Sequence, residues 1–320
     1  MGPMDDGGSA PGPGGTGTTT ARARRPGRPG LSAARVREAL TGYALLAPGL
    51  IGVLLFVIVP AGALVWLSTR RWSLLSAPEF VGPSQVGRVL ADPEFLGSLR
   101  VTLLLALLVV PAQIALGLLL AVLLTKGLRG TGLLRALLII PWASSPLALG
   151  VVWSWIFAPD GGPPAGPAGA STGVLASPTW ALPAVALVVI WTGAGHTSLL
   201  LAAGLASIPR ELVEAARLDG ATARQIFWSI EAPLLRPTLL LVATAALIAV
   251  LNTFDQVYAL TRGGPDRATG VLAYTIYERA FVNWNMGEAA VMALVMTVML
   301  LLVTGAQRLC LRGMSAHESD

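Results

Sequence analysis

Six apolar runs, each long enough to cross a bilayer, constrain this 320-residue chain more than any other feature. They fall at residues 43–67, 101–124, 133–157, 180–206, 238–260 and 288–309. A helix needs about 20 apolar residues to span the hydrocarbon layer. Backbone groups in that layer must be satisfied within the segment, so such runs are helices. Hydrophobic residues make up 54% of the chain and charged residues 12%, against about 25% charged in soluble domains. The reading is an all-α, polytopic membrane protein with six transmembrane helices. Most arginines lie before run one, between runs two and three, between runs four and five, and after run six. That bias places both termini on the cytoplasmic side. Arg70, Arg71, Arg88, Arg100, Arg262, Arg267 and Arg279 are the exceptions, and several have acids nearby, such as Glu278 beside Arg279. The net charge of +5 therefore describes topology rather than nucleic-acid affinity.

Three segments follow. Residues 1–34, rich in glycine, proline, threonine and arginine, cannot bury enough apolar surface to fold and are expected to form a disordered cytoplasmic tail. Residues 35–312 form the six-helix domain, and residues 313–320 a short C-terminal tail. The arginines before run one read as a topology signal, with anionic lipid as a second reading. Residues 158–178, rich in glycine and proline, read as an external connector. The only cysteine is Cys310, which excludes an intrachain disulfide. The two histidines, His196 and His317, are far apart, and no cysteine–histidine cluster suggests a metal. Lys126, the only lysine, follows Leu123-Leu124-Thr125, so no phosphate-cradling loop exists. Neither a GxSxG elbow nor an HExxH helix supports a membrane hydrolase.

Residues 207–237 are a patterned polar interruption. Pro209 suits a helix start, with Glu211 and Glu214 in the first turns. Gly220 sits where a helix would stop. Thr222 can cap a second helix carrying Ile226, Phe227 and Ile230, and Pro233 and Pro237 lead into the next run. The order is short helix, glycine turn, short helix. This pattern, through Glu214-Ala215-Ala216, Asp219-Gly220-Ala221, Phe227, Ile230, Pro233 and Pro237, resembles the EAA loop of permease subunits of binding-protein-dependent ABC importers. The competing reading is an amphipathic helix on the membrane surface, which has no need of the glycine and prolines. The resemblance implies a cytoplasmic loop whose first helix docks into a groove of an ATPase, with those ten residues as the coupling set.

A second stretch, Asn252-Thr253-Phe254-Asp255-Gln256-Val257-Tyr258 followed by Leu260-Thr261-Arg262-Gly263-Gly264-Pro265, resembles a signature of the carbohydrate-import branch of that family. Phe80-Val81-Gly82 and Asn283-Trp284-Asn285-Met286-Gly287 resemble further family segments, although Pro83-Ser84-Gln85 departs from the pattern. Asn252, Asp255, Tyr258, His196 and Trp191 are the candidate substrate-pathway residues. Polar groups at membrane depth face a cavity or a partner. For Asn252 the cavity and helix–helix hydrogen bonding stand level. Asp255 could instead pair with Arg262, His196 fits an interhelical bond, and Trp191 an interfacial anchor.

The resemblance implies an ABC importer type I permease core in a bacterial cytoplasmic membrane. It implies a second homologous permease, two ABC ATPase subunits and an extracytoplasmic solute-binding protein as partners, with lipid around them and no nucleic acid. It implies a transport subunit rather than an enzyme, binding no cofactor itself, with ATP and magnesium on the ATPase. A sugar or sugar derivative is the expected cargo; glycerol phosphate or a polyamine are alternatives. A secondary transporter would predict internal repeats and a midplane carboxylate, and neither is evident.

Overall fold

The computed structural model describes residues 33–125, 130–158 and 173–317. Most of the expected N-terminal tail, Lys126 and Arg129, the centre of the 158–178 connector and residues 318–320 lie outside the described residues. The chain divides into two units, residues 1–57 and 58–320. The described part of the first is α1 (Ala33–Val53), and a π-helical turn at Leu54–Ile58 follows. Leu45 and Phe56, among other apolar side chains here, are exposed, as lipid-facing residues would be.

The second unit opens with α2 (Val59–Ser68) and a two-stranded antiparallel ribbon, β1 (Arg70–Arg71) and β2 (Glu79–Phe80), a small addition to an otherwise helical fold. Then come α3 (Ser84–Leu90), α4 (Pro93–Thr125), α5 (Thr131–Ala143), α6 (Pro146–Ile156) and α7 (Ala181–Ala206). The patterned segment supplies α8 (Arg210–Leu218), α9 (Ala223–Ile226), a π-helical turn at Phe227–Glu231, and α10 (Ala232–Leu234). The remainder is α11 (Arg236–Leu251), α12 (Asp255–Leu260), α13 (Leu272–Tyr277), a π-helical turn at Glu278–Val282, and α14 (Met286–His317).

Among the described residues, four stretches are long and apolar enough to cross a membrane: Leu40–Ser68, Pro93–Thr125, Ala181–Ala206 and Met286–Leu311. Two bent pairs bring the number to six if each is one span. The expected third run is not one straight helix, because α5 and α6 meet at 96°. Pro146 has no N–H to continue the ladder, so it starts α6, and Ser145 caps that helix by accepting from Ala148 N. The expected fifth run does not continue to residue 260, because α11 ends at Leu251. There Asn252 Nδ2 donates to Ile248 O at 2.8 Å and Thr253 Oγ1 to Ala249 O at 3.3 Å. Side chains competing for helical carbonyls in this way favour a helix end. At the other end α11 bends 68° from the Ala223–Leu234 segment.

The core lies along α4 and α7. Leu105, Val109, Val185, Val188, Val250 and Val257 form one buried cluster; Ala121, Leu124, Leu201, Leu235 and Val242 form a second. Gln113, the lone amide in run two, points inward and donates to Thr197 Oγ1 at 2.8 Å. Such bonds join helices where lipid offers no alternative partner. At Gly195 a Cβ would collide with Leu138 O, so glycine lets α5 and α7 approach.

Candidate transport cavity and coupling segment

The break between α5 and α6, at residues 144–145, and the break between α11 and α12, at residues 252–254, flank one cavity. Irregular backbone is tolerated at membrane depth where it lines a cavity, and here both breaks border the same one. It measures 390 Å³ and is walled by α4, α5, α7, α11 and α12. Its polar lining includes Gln113, His196, Asn252, Asp255, Gln256 and three threonines, with Trp142 beside them. The Trp142 and His196 rings stack at 4.5 Å, 7° from parallel. The described lining contains one carboxylate, Asp255, and no arginine or lysine.

Three of the five expected pathway residues, Asn252, Asp255 and His196, meet in this cavity. The other two do not. Tyr258 joins an aromatic cluster with Phe254, at 5.5 Å, and Tyr277, at 5.7 Å. Trp191 packs edge-on against Trp153 at 5.5 Å. The suggested Asp255–Arg262 pair is absent, and Arg262 instead adopts a turn conformation with φ of 50°. His196 finds a ring rather than an interhelical hydrogen bond. Gln113, Trp142 and Gln256 are lining residues that the sequence reading does not select. Of these, an isolated amide in an apolar run is the one sequence signal that points inward.

On the expected outer side, charges are pooled. Arg279 pairs with Asp92 at 2.5 Å, with Glu288 at 2.6 Å and with Glu94. Arg267 pairs with Glu94 at 2.5 Å and with Glu278 at 2.8 Å. Glu278 thus serves Arg267, not its neighbour Arg279. Burial alone would lower the Arg279 pKa, but Glu94, Asp92 and Glu288 outweigh it and hold it above the ordinary guanidinium value. The network ties α4 to the start of α14 and to the turn before it.

The candidate coupling segment follows the C-terminal end of α7. Pro209 is the residue before the first turn of α8 rather than within it. Gly220 has φ of 80°, and Ala221 N donates to Ala216 O at 2.9 Å while Gly220 N donates to Arg217 O at 3.1 Å. That paired bonding is a Schellman motif, which needs a left-handed residue at Gly220. Thr222 and Gln225 form a reciprocal capping box at the start of α9. No residue of α8 is buried, and Leu218 is 90% exposed. Glu214 faces a second, larger cavity of 1290 Å³ together with Phe227. Ala215 points elsewhere, about 100° further round the helix. Ala216, Ala221, Ile230 and Pro233 are half-buried; Asp219, Gly220 and Pro237 are exposed.

A bundle whose broken helices close on a polar cavity, with an unburied helix offered at one end, is a membrane transport subunit. The chain belongs to the family described as binding-protein-dependent transport system inner membrane component, which matches residues 113–316. It is 33% identical over 271 residues to the sn-glycerol-3-phosphate transport system permease protein UgpA of Agrobacterium fabrum, covering 83% of this chain and 92% of that protein. It is 40% identical over 136 residues to the multiple sugar-binding transport system permease protein MsmF of Streptococcus mutans, covering 42% of this chain and 47%, about half, of that protein. Its fold is similar to that of a bacterial alginate ABC transporter solved in complex with an alginate pentasaccharide-bound periplasmic protein: TM-score 0.73, 19% identity, 87% of this chain and 96% of that one.

Proposed function

We propose that this chain is the permease subunit of an ATP-driven importer and translocates a neutral sugar or sugar derivative delivered by an extracytoplasmic binding protein. The observation that carries the reading is the lining of the 390 Å³ cavity, which pairs the Trp142 ring with amides, an imidazole and one carboxylate. Rings stack on the apolar face of a sugar, and amides and carboxylates bond its hydroxyls. The printed names of the relatives include both sugar and glycerol-phosphate systems. A cavity with Asp255 and no lysine or arginine in its described lining disfavours a phosphate dianion, whose burial needs paired cations. The neutral cargo is therefore the better fit.

Two-state coupling supplies the mechanism. ATP closes a dimer of partner ATPases, the 207–237 segments of this chain and a second permease move with it, and the pair alternates its opening around the cavity. ATP and magnesium belong on the ATPase, both termini on the cytoplasmic side, and the assembly in a bacterial cytoplasmic membrane.

The test is uptake of a panel of labelled sugars, with glycerol 3-phosphate alongside, by Asn252→Leu and Trp142→Ala. Losing a hydrogen bond worth about 0.5–1.5 kcal/mol lowers uptake roughly twofold to thirteenfold, with partners still co-purifying. Unchanged uptake in both variants, or transport of glycerol 3-phosphate alone, defeats the neutral-sugar reading.

A further inference from the structure

The larger cavity, behind α8, is amphiphilic in a way that transport does not use. Its deep wall comes from membrane-spanning helices: Leu118, Leu119 and Val122 of α4, and Leu199 of α7. Its mouth carries four arginines, Arg135, Arg210, Arg217 and Arg224, against two glutamates, Glu214 and Glu231. Among the described residues none of these six forms an ion pair, although Arg210 and Arg217 lie one helical turn from Glu214. Unpaired arginines at the mouth leave an excess of positive charge facing whatever enters. The side chains that line it from α8, at positions 210, 213, 214 and 217, share one helical face. The exposed Leu212 and Ala215 lie on the opposite face, which an occupant of the cavity leaves open to a partner.

We propose that this cavity is a binding site for an anionic phospholipid of the adjoining leaflet, phosphate on the arginines and an acyl chain along α4. A guanidinium suits phosphate because its donors form a planar fork, and basic pockets between membrane helices take such headgroups. An acidic segment of a partner protein would satisfy the arginines but has no use for a leucine-lined slot reaching into the membrane-spanning part of α4. The lipid uses both halves. Bound there, it would support α8 from behind and set the angle at which that helix is presented.

Native mass spectrometry of the purified full chain, reconstituted in mixed phosphatidylglycerol and phosphatidylcholine, tests this. Wild type should retain phosphatidylglycerol selectively, and soluble glycerol 1-phosphate should not displace it. Arg135→Gln/Arg224→Gln should lower that selectivity about fivefold for each arginine removed. Leu119→Trp, which fills the slot without touching charge, should reduce retention of both lipids. The proposal is overturned if the double variant retains phosphatidylglycerol like wild type, or if glycerol 1-phosphate displaces the lipid. It is equally overturned if the double variant keeps its lipid but loses co-purification of the ATPase, which would assign the arginines to an acidic protein surface.

Discussion

Replacing Gly220 with valine isolates the coupling segment from the rest of the fold. Nothing lies within 4 Å of a Cβ built at Gly220, so no neighbour is displaced. The cost comes from the backbone alone, held at φ of 80°. A left-handed conformation costs an ordinary L-residue about 1–2 kcal/mol, and a β-branched one more. Because α8 buries no side chain, the chain can relieve that strain by abandoning the Schellman turn. The helix is then presented at the wrong angle while the bundle is untouched. A penalty of about 1–2 kcal/mol on the docking-competent state lowers partner affinity roughly fivefold to thirtyfold. The assay is co-purification of the ATPase, together with ATPase activity stimulated by the binding protein, in wild type, Gly220→Val and Gly220→Asn. Asparagine tolerates the left-handed region and should retain most of both signals, with membrane insertion and thermal stability of the permease equal in all three. Normal co-purification and normal stimulated activity in the valine variant would refute the assignment of this turn as the coupling element.

Arg279→Gln leaves Asp92, Glu94 and Glu288 without their shared cation. Loss of one partner from a buried pair costs about 3–5 kcal/mol, and the partial exposure of these carboxylates reduces this to about 1–3 kcal/mol, readable as a lowered Tm. Because the Arg279 pKa is raised on folding, its contribution is fully present below the ordinary guanidinium value and is lost only above it; raising the pH from about 7 to 10 should leave this network's stabilisation intact in thermal melts. Gly195→Ala drives a methyl into Leu138 O and should destabilise by at least 1–3 kcal/mol, whereas Gly97→Ala, with nothing within 4 Å, should not, as measured by unfolding in detergent. Thr179→Cys in a Cys310→Ser background should react with an impermeant thiol reagent from outside intact cells; labelling confined to inverted vesicles would reverse the proposed orientation.

What was readable in the sequence was what is decided locally. Gly220 and Thr222 act within a turn of their own positions, and the structure uses both as their chemistry suggests. Pro146 likewise advertised the break between α5 and α6. The end of α11 carried no glycine or proline. It depends on Asn252 and Thr253 turning back to their own helix, which composition does not announce. Partners distant in the chain were the hardest to read. Arg279 meets Asp92 and Glu94 across nearly the whole domain rather than adjacent Glu278. Trp142 became a cavity residue only because the 96° bend and the Gly195 contact bring α5 against α7 beside His196.

Because no residue of α8 is fully buried and only Val213 and Ala216 are half-buried, little of its rigidity comes from the bundle. Short isolated helices are marginal in water, so between docking events this one is held only by its turn and by whatever rests against it. Its amides should exchange with solvent quickly in the lone subunit and slow sharply in the assembled one. In the proposed assembly this helix would be a push-rod that stiffens only when it is gripped, passing force to the membrane bundle only while the ATPase is engaged.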